Sequence, residues 1–243
     1  MAAEVKSEPR WLTEEEQRTW RAYLDGSRLL MHFLERGHQQ HGLSSTDYEI
    51  LVIESGSTDG SDRMCDEAAR SWPKIRVIHE PTRSGYGSAV RLGFANATRT
   101  FTWIVTLDMP FRLETIFVAL PLLDAYDCVL SYRSHDPREI GRKLQSTVYN
   151  LILHVLLGIR ARHVNSAFKV IRNSLVRQIP LVSAGWFIDA ELVYRLQQRG
   201  IRYAEIAVPL VDRSAGSSTI GFSTWLGVVR EIARFWLAVR AHG

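Results

Sequence analysis

The chain has 243 residues, of which 46% are hydrophobic and 23% charged, so it is long enough for one sizeable domain and wholesale disorder is excluded. The formal net charge of +4 suits an anionic ligand or a membrane surface, but it falls short of the strongly basic balance of nucleic-acid-binding proteins, so no nucleic-acid partner is expected. Cys65 and Cys128 lie far apart without metal-binding spacing, and the first residues lack the apolar core of a secretory signal, which together favour a cytoplasmic location.

Residues 1–47 are predicted to be helical. Thr13 precedes three glutamates, a pattern that caps a helix and places acids at the positive end of its dipole. Apolar residues from Trp20 to Leu34 then recur at helical spacing. We therefore expect a helical N-terminal extension.

From Tyr48 onward, short β-rich runs alternate with helical segments. The runs read YEILVIE, KIRVIHE, TFTWIVTLD, DCVLSYR, SAFKVIR and IRYAEIAVPLV. This alternation predicts an α/β domain with a parallel or mostly parallel sheet flanked by helices. Residues 223–243 form an amphipathic basic segment, for which packing in the core and lying at a membrane interface both stay open.

The segment ESGSTDGS follows the first of these strands, at a position where open α/β sheets bind ligands. Glu54 and Ser55 end the strand, and Gly56 permits a tight turn. Ser57 and Asp59 offer polar groups to a phosphate or ribose. The alternative is a plain turn in which Asp59 caps the following helix.

The loop RSGYGSAVR precedes another helix. Gly85 and Gly87 leave backbone N–H groups accessible at the helix N-terminus, and Arg91 adds a positive charge, so the loop is a candidate anion cradle. Further along, the apolar run WIVTL ends in the single carboxylate of Asp108, where a ligand-facing side chain is expected.

These motifs follow one another along the chain as ESGSTDG, then GYGSAVRLG, then a strand that ends in Leu-Asp. They continue with SYR, HVNSAFKVIR and WFIDAELVYRLQQRG. The set resembles the family 2 glycosyltransferases with a GT-A (Rossmann-like) fold, and within them the dolichol- and polyprenyl-phosphate mannosyltransferases. The resemblance covers residues 48–222.

The resemblance implies inverting transfer of a sugar from a nucleotide-diphosphate sugar to a polyprenyl phosphate or similar acceptor. By it, Glu54 contacts the base or ribose of the donor. Asp108 stands at the first acid of the D-x-D motif, which binds the divalent cation, Mg²⁺ or Mn²⁺, that bridges the donor phosphates. Such a cation neutralises charge that develops on the leaving diphosphate.

Other roles follow from the same resemblance. Arg133 and Arg213 are candidate phosphate ligands, since guanidinium groups make paired hydrogen bonds to phosphates. Asp189 and Glu191 match a D-x-E motif that orients the acceptor, with helix capping and an external salt bridge as the alternative. A lipid-phosphate acceptor is already anionic, so it needs no strong general base.

His163 and Ala167 replace an Asp and a Gly of the subgroup's pattern. Two further departures bear on catalysis. Pro110 replaces the second acid of D-x-D and Arg112 stands at a further polar position, which makes a weak metal site. The family's usual first strand does not precede Tyr48. Both changes predict impaired catalysis.

Residues 1–47 instead resemble the N-terminal helices of MarR-type transcription regulators, without a recognition helix that could read DNA. An alternative function is therefore a catalytically silent regulatory protein that forms a homodimer through these helices. If the 223–243 segment contacts lipid, the protein would sit peripherally at the inner face of the membrane.

Overall fold

The structure is a computed structural model that describes residues 48–106, 111–136, 140–210 and 222–241. The described residues fall into two compact units, Glu49–Arg83 and the residues from Ser84 onward. The predicted N-terminal helices of residues 1–47 lie outside the described residues, as do Asp108, Pro110 and Arg213.

The predicted strands are all observed. They are β1 (Ile50–Glu54), β2 (Ile75–His79), β3 (Phe101–Ile104), β4 (Cys128–Arg133), β5 (Lys169–Arg172) and β6 (Tyr203–Val208). The helices in the described residues are α1 (Ser61–Ser71), α2 (Tyr86–Asn96), α3 (Thr115–Ala119), α4 (Ile140–Leu157), α5 (Asn173–Val176), α6 (Ile188–Gln198) and α7 (Phe222–Ala241).

One predicted helix is shorter than the pattern indicated. The segment RLETIFVALPLLDAY forms α3 and then a 3-10 helix, Leu120–Asp124. Pro121 has no backbone N–H to donate and its ring opposes the preceding turn, so the α-helical hydrogen-bond ladder does not continue through it.

The first unit is a β-α-β arrangement. Strands β1 and β2 pair in parallel, from Ile50 opposite Ile75 to Glu54 opposite His79. Because parallel strands end at the same edge, this register places the Glu54 and His79 side chains at one end of the pair. No strand among the described residues pairs with the other edge of β1.

The second unit contains a four-stranded sheet in the order β3-β5-β4-β6. Strands β4 and β6 are parallel, whereas β5 is antiparallel to both of its neighbours. The predicted α/β architecture with helices flanking the sheet is therefore confirmed, and β5 is the antiparallel member.

Two hydrophobic clusters stabilise the second unit. One is aromatic, with Phe111 and Phe168 in edge-to-face contact at a centroid distance of 5.4 Å. The other includes Leu153 of α4 together with Ile232 and Phe235 of α7. Helix α7 thus packs part of its apolar face in the core, one of the two readings left open by its sequence. No helix in the described ranges combines the length and the apolar character that a bilayer crossing requires.

Candidate active site

The loop after β1 is organised by the Glu54 carboxylate. Glu54 is buried and accepts the Ser57 backbone N–H at 2.6 Å. Its second oxygen lies 3.0 Å from Nδ1 of His79, whose Nε2 lies 3.0 Å from the Asp66 carboxylate. Both ring nitrogens of His79 therefore face acceptors, an arrangement that only the protonated imidazole satisfies.

These contacts change the titration of both groups. Burial by itself would raise the pKa of Glu54, but the hydrogen bonds from His79 and Ser57 outweigh it and lower the pKa to about 2. The hydrogen bonds to Glu54 and then Asp66 raise the pKa of His79 above its usual range. Glu54 is thus a fixed anion that holds the loop, and its contact with a base or ribose stays a prediction.

The rest of this loop combines a turn with exposed polar groups. Asp59 accepts hydrogen bonds from the Ser61 backbone N–H at 3.1 Å and the Ser61 hydroxyl at 2.7 Å, as the plain-turn alternative predicted. Gly56 has a φ of +64°, which favours glycine. Ser55 donates to Glu80, whereas Ser57 and Asp59 are exposed.

The glycine-rich loop before α2 contacts the chain segment that precedes α6. Ala184 C=O accepts the N–H of Gly87 at 2.8 Å, and a Cβ on Gly85 would lie 2.6 Å from the same oxygen. Arg91 donates to the Val182 carbonyl at 3.2 Å. The α2 N-terminus therefore binds a carbonyl of this chain, and its predicted role as a phosphate cradle stays untested.

The two acids of the D-x-E motif are both engaged inside the protein. Glu191 is fully buried and accepts the backbone N–H of Ser183 at 2.8 Å and Nε of Arg195 at 2.8 Å. Asp189 forms an ion pair with Nζ of Lys169 at 2.9 Å. These ion pairs are internal, in contrast to the external salt bridge of the alternative prediction.

Lys169 has a role that the sequence reasoning missed. Its side chain is only 3% exposed, and its ammonium group also donates to the Ser166 carbonyl. The hydroxyl of Ser166 is in turn hydrogen-bonded to the buried hydroxyl of Ser131. A lysine inside an apolar strand, FKVIR, is the signal that could have revealed it, because a buried ammonium requires a paired carboxylate.

Arg133 joins two neighbouring segments at the end of β4. Its guanidinium donates to the Ser146 hydroxyl on α4 at 2.8 Å and to the Asn165 carbonyl at 3.0 Å. Its backbone N–H donates to Nδ1 of His163 at 2.8 Å. The Arg133 side chain therefore links β4 to α4 and to the loop before β5. Its predicted contact with a phosphate is not tested by this geometry.

The turn before α6 is also held by the C-terminal helix. Glu231 of α7 accepts the N–H of Gly185 at 3.2 Å and that of Phe187 at 3.3 Å. Between these residues, Trp186 stacks on Tyr86 with a centroid distance of 5.0 Å. Glu231 is the one carboxylate in the α7 sequence, which is the signal that could have identified it.

A cleft of about 360 Å³ lies where this turn meets α7. It is lined by Trp186, by the apolar Val228, and by Arg230 and Arg234, with Glu231 already bound to the turn. The two arginines give the cleft cationic groups beside an aromatic ring, a combination that suits an anionic ligand with an apolar part.

The described residues contain no group of three or more His, Cys, Asp or Glu side chains that could hold a metal ion. The sequence around Asp108 offers little support, because Pro110 has no ligand atom and Arg112 is cationic and exposed. These residues do not fit a metal cage built by the protein alone.

Comparison with known proteins identifies the family. Residues 30–181 match the family model described as Glycosyl transferase family 2, which is more than half of the chain. The chain belongs to glycosyltransferase family 2. The match begins before Tyr48, and the domain boundary at residue 48 stays a prediction. The family match does not favour the alternative of a catalytically silent regulatory protein. The MarR-like resemblance concerns residues 1–47, which lie outside the described residues, and stays a prediction.

Two curated glycosyltransferases align with most of the chain. An undecaprenyl-phosphate mannosyltransferase of Micrococcus luteus is 24% identical over 208 residues, covering 80% of this chain and 85% of the relative. A polyprenol monophosphomannose synthase of Mycolicibacterium smegmatis is 24% identical over 204 residues, covering 79% of this chain and 77% of that protein.

A solved glycosyltransferase structure shares the fold. Glucosyl-3-phosphoglycerate synthase from Mycobacterium tuberculosis, in complex with UDP, superposes with a TM-score of 0.58 at 18% identity, covering 81% of this chain and 69% of the other. The same synthase was crystallised with Mn²⁺, UDP-glucose and phosphoglyceric acid. The likeness confirms the GT-A-like fold.

Proposed function

We propose that this glycosyltransferase transfers a sugar, with inversion, from a nucleotide-diphosphate sugar to a polyprenyl phosphate. The two polyprenyl-phosphate relatives, which align over about four-fifths of the chain, support this acceptor class. The UDP complex of the structural neighbour supports a nucleotide-linked donor.

The observation that carries the proposal is the ion pairing at the start of α6. Asp189 is paired with Lys169 and Glu191 with Arg195, so each carboxylate already holds a cation of this chain and is not positioned as a dedicated general base. An acceptor that is already ionised avoids the need for one, since a phosphate monoester is anionic near neutral pH. Hydroxyl acceptors, which must lose a proton during transfer, fit this arrangement less well.

Asp108, which the family pattern places at the cation, is the one carboxylate left at the D-x-D position, because Pro110 replaces the second acid. We infer that Mg²⁺ or Mn²⁺ is recruited together with the donor diphosphate and is not held tightly by the protein alone. When bound, the cation would neutralise charge on the leaving diphosphate. Thermal melting with Mn²⁺ alone, UDP alone and both together tests this: stabilisation by Mn²⁺ alone, equal to that by the mixture, would contradict it.

The transfer itself is tested with the full chain, a panel of radiolabelled nucleotide sugars and undecaprenyl phosphate in detergent. The expected result is a labelled product that partitions into organic solvent and that requires the lipid phosphate. Undecaprenol, which lacks the phosphate, is the matched control. No organic-phase product with any donor would refute the acceptor class.

The rate also tests the predicted impairment. Because Pro110 removes the second acid, we expect a rate well below that of the Micrococcus luteus mannosyltransferase assayed in parallel. Pro110→Asp should raise the rate at saturating Mn²⁺. Equal rates for this chain and the relative would contradict the impairment.

A further inference from the structure

The cleft between α7 and the turn before α6 is built from parts that are held in place. Glu231 of α7 accepts the N–H of Gly185 at 3.2 Å and that of Phe187 at 3.3 Å. Phe187 is fully buried and packs against Phe235 of α7 at a centroid distance of 5.1 Å. The turn is therefore joined to the helix on both sides of Trp186, so the groups that line the cleft are preorganised for a ligand.

The Trp186 ring presents an apolar surface to this cleft. The residue is 44% exposed, although Tyr86 stacks on the ring at a centroid distance of 5.0 Å and an interplanar angle of 22°. Val228, on the α7 side, adds an aliphatic surface. A tryptophan held in this way loses little conformational entropy when a ligand covers it.

Arg230 and Arg234 line the same cleft from α7. They are four positions apart, so their side chains lie on one side of the helix, where like charges repel. No carboxylate among the described residues forms an ion pair with either arginine, and Glu231, the one acid of α7, is directed at the backbone N–H groups of the turn. An anion between the two guanidinium groups would remove the repulsion and accept paired hydrogen bonds from them.

A phosphate fits this pair of arginines better than a carboxylate. A carboxylate has two oxygens, which one guanidinium group can satisfy by itself. A phosphate monoester has three terminal oxygens and a charge between −1 and −2 near neutral pH, flagged here as roughly −1.5 to −2. Two adjacent guanidinium groups match both the larger number of oxygens and the larger charge.

The rest of the lining selects an apolar body over a nucleoside. Base edges and ribose hydroxyls require polar groups that fix their orientation. Apart from the two arginines and Glu231, the cleft is lined by Trp186, Val228 and two glycines, which offer no such side chains. A volume of about 360 Å³ is at the small end of ligand pockets, so the cleft can hold the head of a long molecule and leave the remainder outside.

We propose that this cleft binds the polyprenyl phosphate acceptor by its phosphate and its first isoprene units, which rests on the proposed function for the identity of the acceptor. Arg230 and Arg234 hold the phosphate oxygens, and Trp186 packs against the aliphatic carbons that follow. The turn that carries Trp186 leads directly into α6, where Asp189 and Glu191 lie. Binding in the cleft is measurable without any sugar transfer.

The test is calorimetric titration of the full chain with farnesyl phosphate, a short isoprenyl phosphate, below its micelle concentration. Arg230→Gln and Arg234→Gln should each weaken binding at least about tenfold, because a charge-assisted hydrogen bond to the phosphate is lost. Arg240→Gln is the matched control, since Arg240 is exposed on the same helix and stacks on Trp236. It should bind within about twofold of the parent. Equal losses for the cleft variants and the control, or no binding by the parent, would overturn the proposal.

The two halves of the ligand are tested separately. Farnesol lacks the phosphate and inorganic phosphate lacks the chain, so each should bind at least about tenfold more weakly than farnesyl phosphate. Trp186→Ala should weaken farnesyl phosphate binding, and Trp186→Phe should restore most of it, because phenylalanine keeps an apolar ring. If inorganic phosphate binds as tightly as farnesyl phosphate, the cleft is a plain anion site and the proposal is overturned.

A nucleotide in the cleft gives a different result. If UDP competes with farnesyl phosphate and loses affinity equally in Arg234→Gln, the cleft belongs to the donor and the proposal is overturned. In the transfer assay, Arg234→Gln should raise the KM for undecaprenyl phosphate at least about tenfold and change kcat by less than about twofold.

Failure of this inference and failure of the proposed function are distinguishable. Transfer by the parent, with an unchanged KM in Arg234→Gln, would overturn the assignment of the cleft alone. Binding of farnesyl phosphate that depends on Arg230 and Arg234, without transfer to any lipid phosphate, would overturn the proposed function alone.

Discussion

Replacing Glu191 by glutamine isolates the contribution of the acid that holds the turn before α6. The carboxylate is fully buried; Oε1 accepts Nε of Arg195 and Oε2 accepts the N–H of Ser183, both at 2.8 Å. Glutamine has the same shape but only one oxygen. Whichever way the amide is turned, its NH₂ group faces either Arg195 or Ser183, and one donor is left opposite another donor.

The cost can be worked out from these contacts. A hydrogen bond to a charged group contributes about 1.5–3 kcal/mol, and breaking a buried ion pair costs about 3–5 kcal/mol. The Arg195 side chain is 26% exposed, so water offsets part of its loss and the lower end applies. We expect Glu191→Gln to lower the free energy of unfolding by about 3 kcal/mol, which is a fall of about 6–12 °C in melting temperature for a chain of this size.

Urea denaturation and thermal melting measure this, with Glu205→Gln as the matched control. Glu205 accepts the backbone N–H of Arg162 at 2.8 Å and pairs with the Arg162 guanidinium, whose side chain is 63% exposed. Because this ion pair is solvated, Glu205→Gln should cost about 1 kcal/mol or less. If Glu191→Gln is no more destabilising than the control yet abolishes transfer, Glu191 acts on the acceptor and the structural assignment is refuted.

Three further changes have defined outcomes. Gly87→Ala should destabilise the enzyme by several kcal/mol, since a Cβ would lie 2.7 Å from the Ala184 carbonyl carbon. Gly141→Ala is the control and should be tolerated, because no atom lies within 4 Å of a Cβ at that position. Equal melting temperatures for the two variants would contradict the close packing at Gly87. Lys169→Met leaves a buried carboxylate unpaired and should cost about 3–5 kcal/mol in urea denaturation, and a stability within error of the parent would show that the pair is dispensable. Because the pKa of His79 is raised in the folded state, the stability that its charge contributes is complete below about pH 6.5 and is lost as the pH rises through the folded pKa. His79→Gln should therefore lower the melting temperature more at low pH than at high pH. The reverse order would exclude a charged His79.

The strands were predictable because each is a compact β-branched or aromatic run between turn residues. The antiparallel direction of β5 was not predictable in the same way. Its segment, SAFKVIR, follows a helix as β2, β3, β4 and β6 do, and its direction depends on which neighbour it pairs with in space. The break at Pro121 has a local cause and is visible in the sequence once the missing N–H is considered.

The candidate site was predictable as a set of loops but not as a set of contacts. The composition of ESGSTDGS indicated a turn with a capping Asp59; in the structure Gly60 occupies the N-cap position, and Asp59 accepts the N–H of Ser61, the first residue of α1. The sequence does not reveal that Ala184, nearly a hundred positions after the glycines of RSGYG, supplies a carbonyl to the N–H of Gly87, and the anion cradle at this loop stays a prediction. The role of Glu231 was not predictable for the same reason, since the N–H groups that it accepts lie 44 and 46 positions earlier in the chain.

The contact between Glu231 and the Gly185–Phe187 turn also constrains the order of folding during synthesis. The ribosome makes the turn first, and the carboxylate that satisfies its N–H groups follows 46 positions after Gly185. At about 5–20 residues per second, the nascent turn waits roughly 2–9 s for its partner. Until α7 is made, the N–H groups of Gly185 and Phe187 lack their carboxylate acceptor, and Phe187 lacks the Phe235 ring that packs against it.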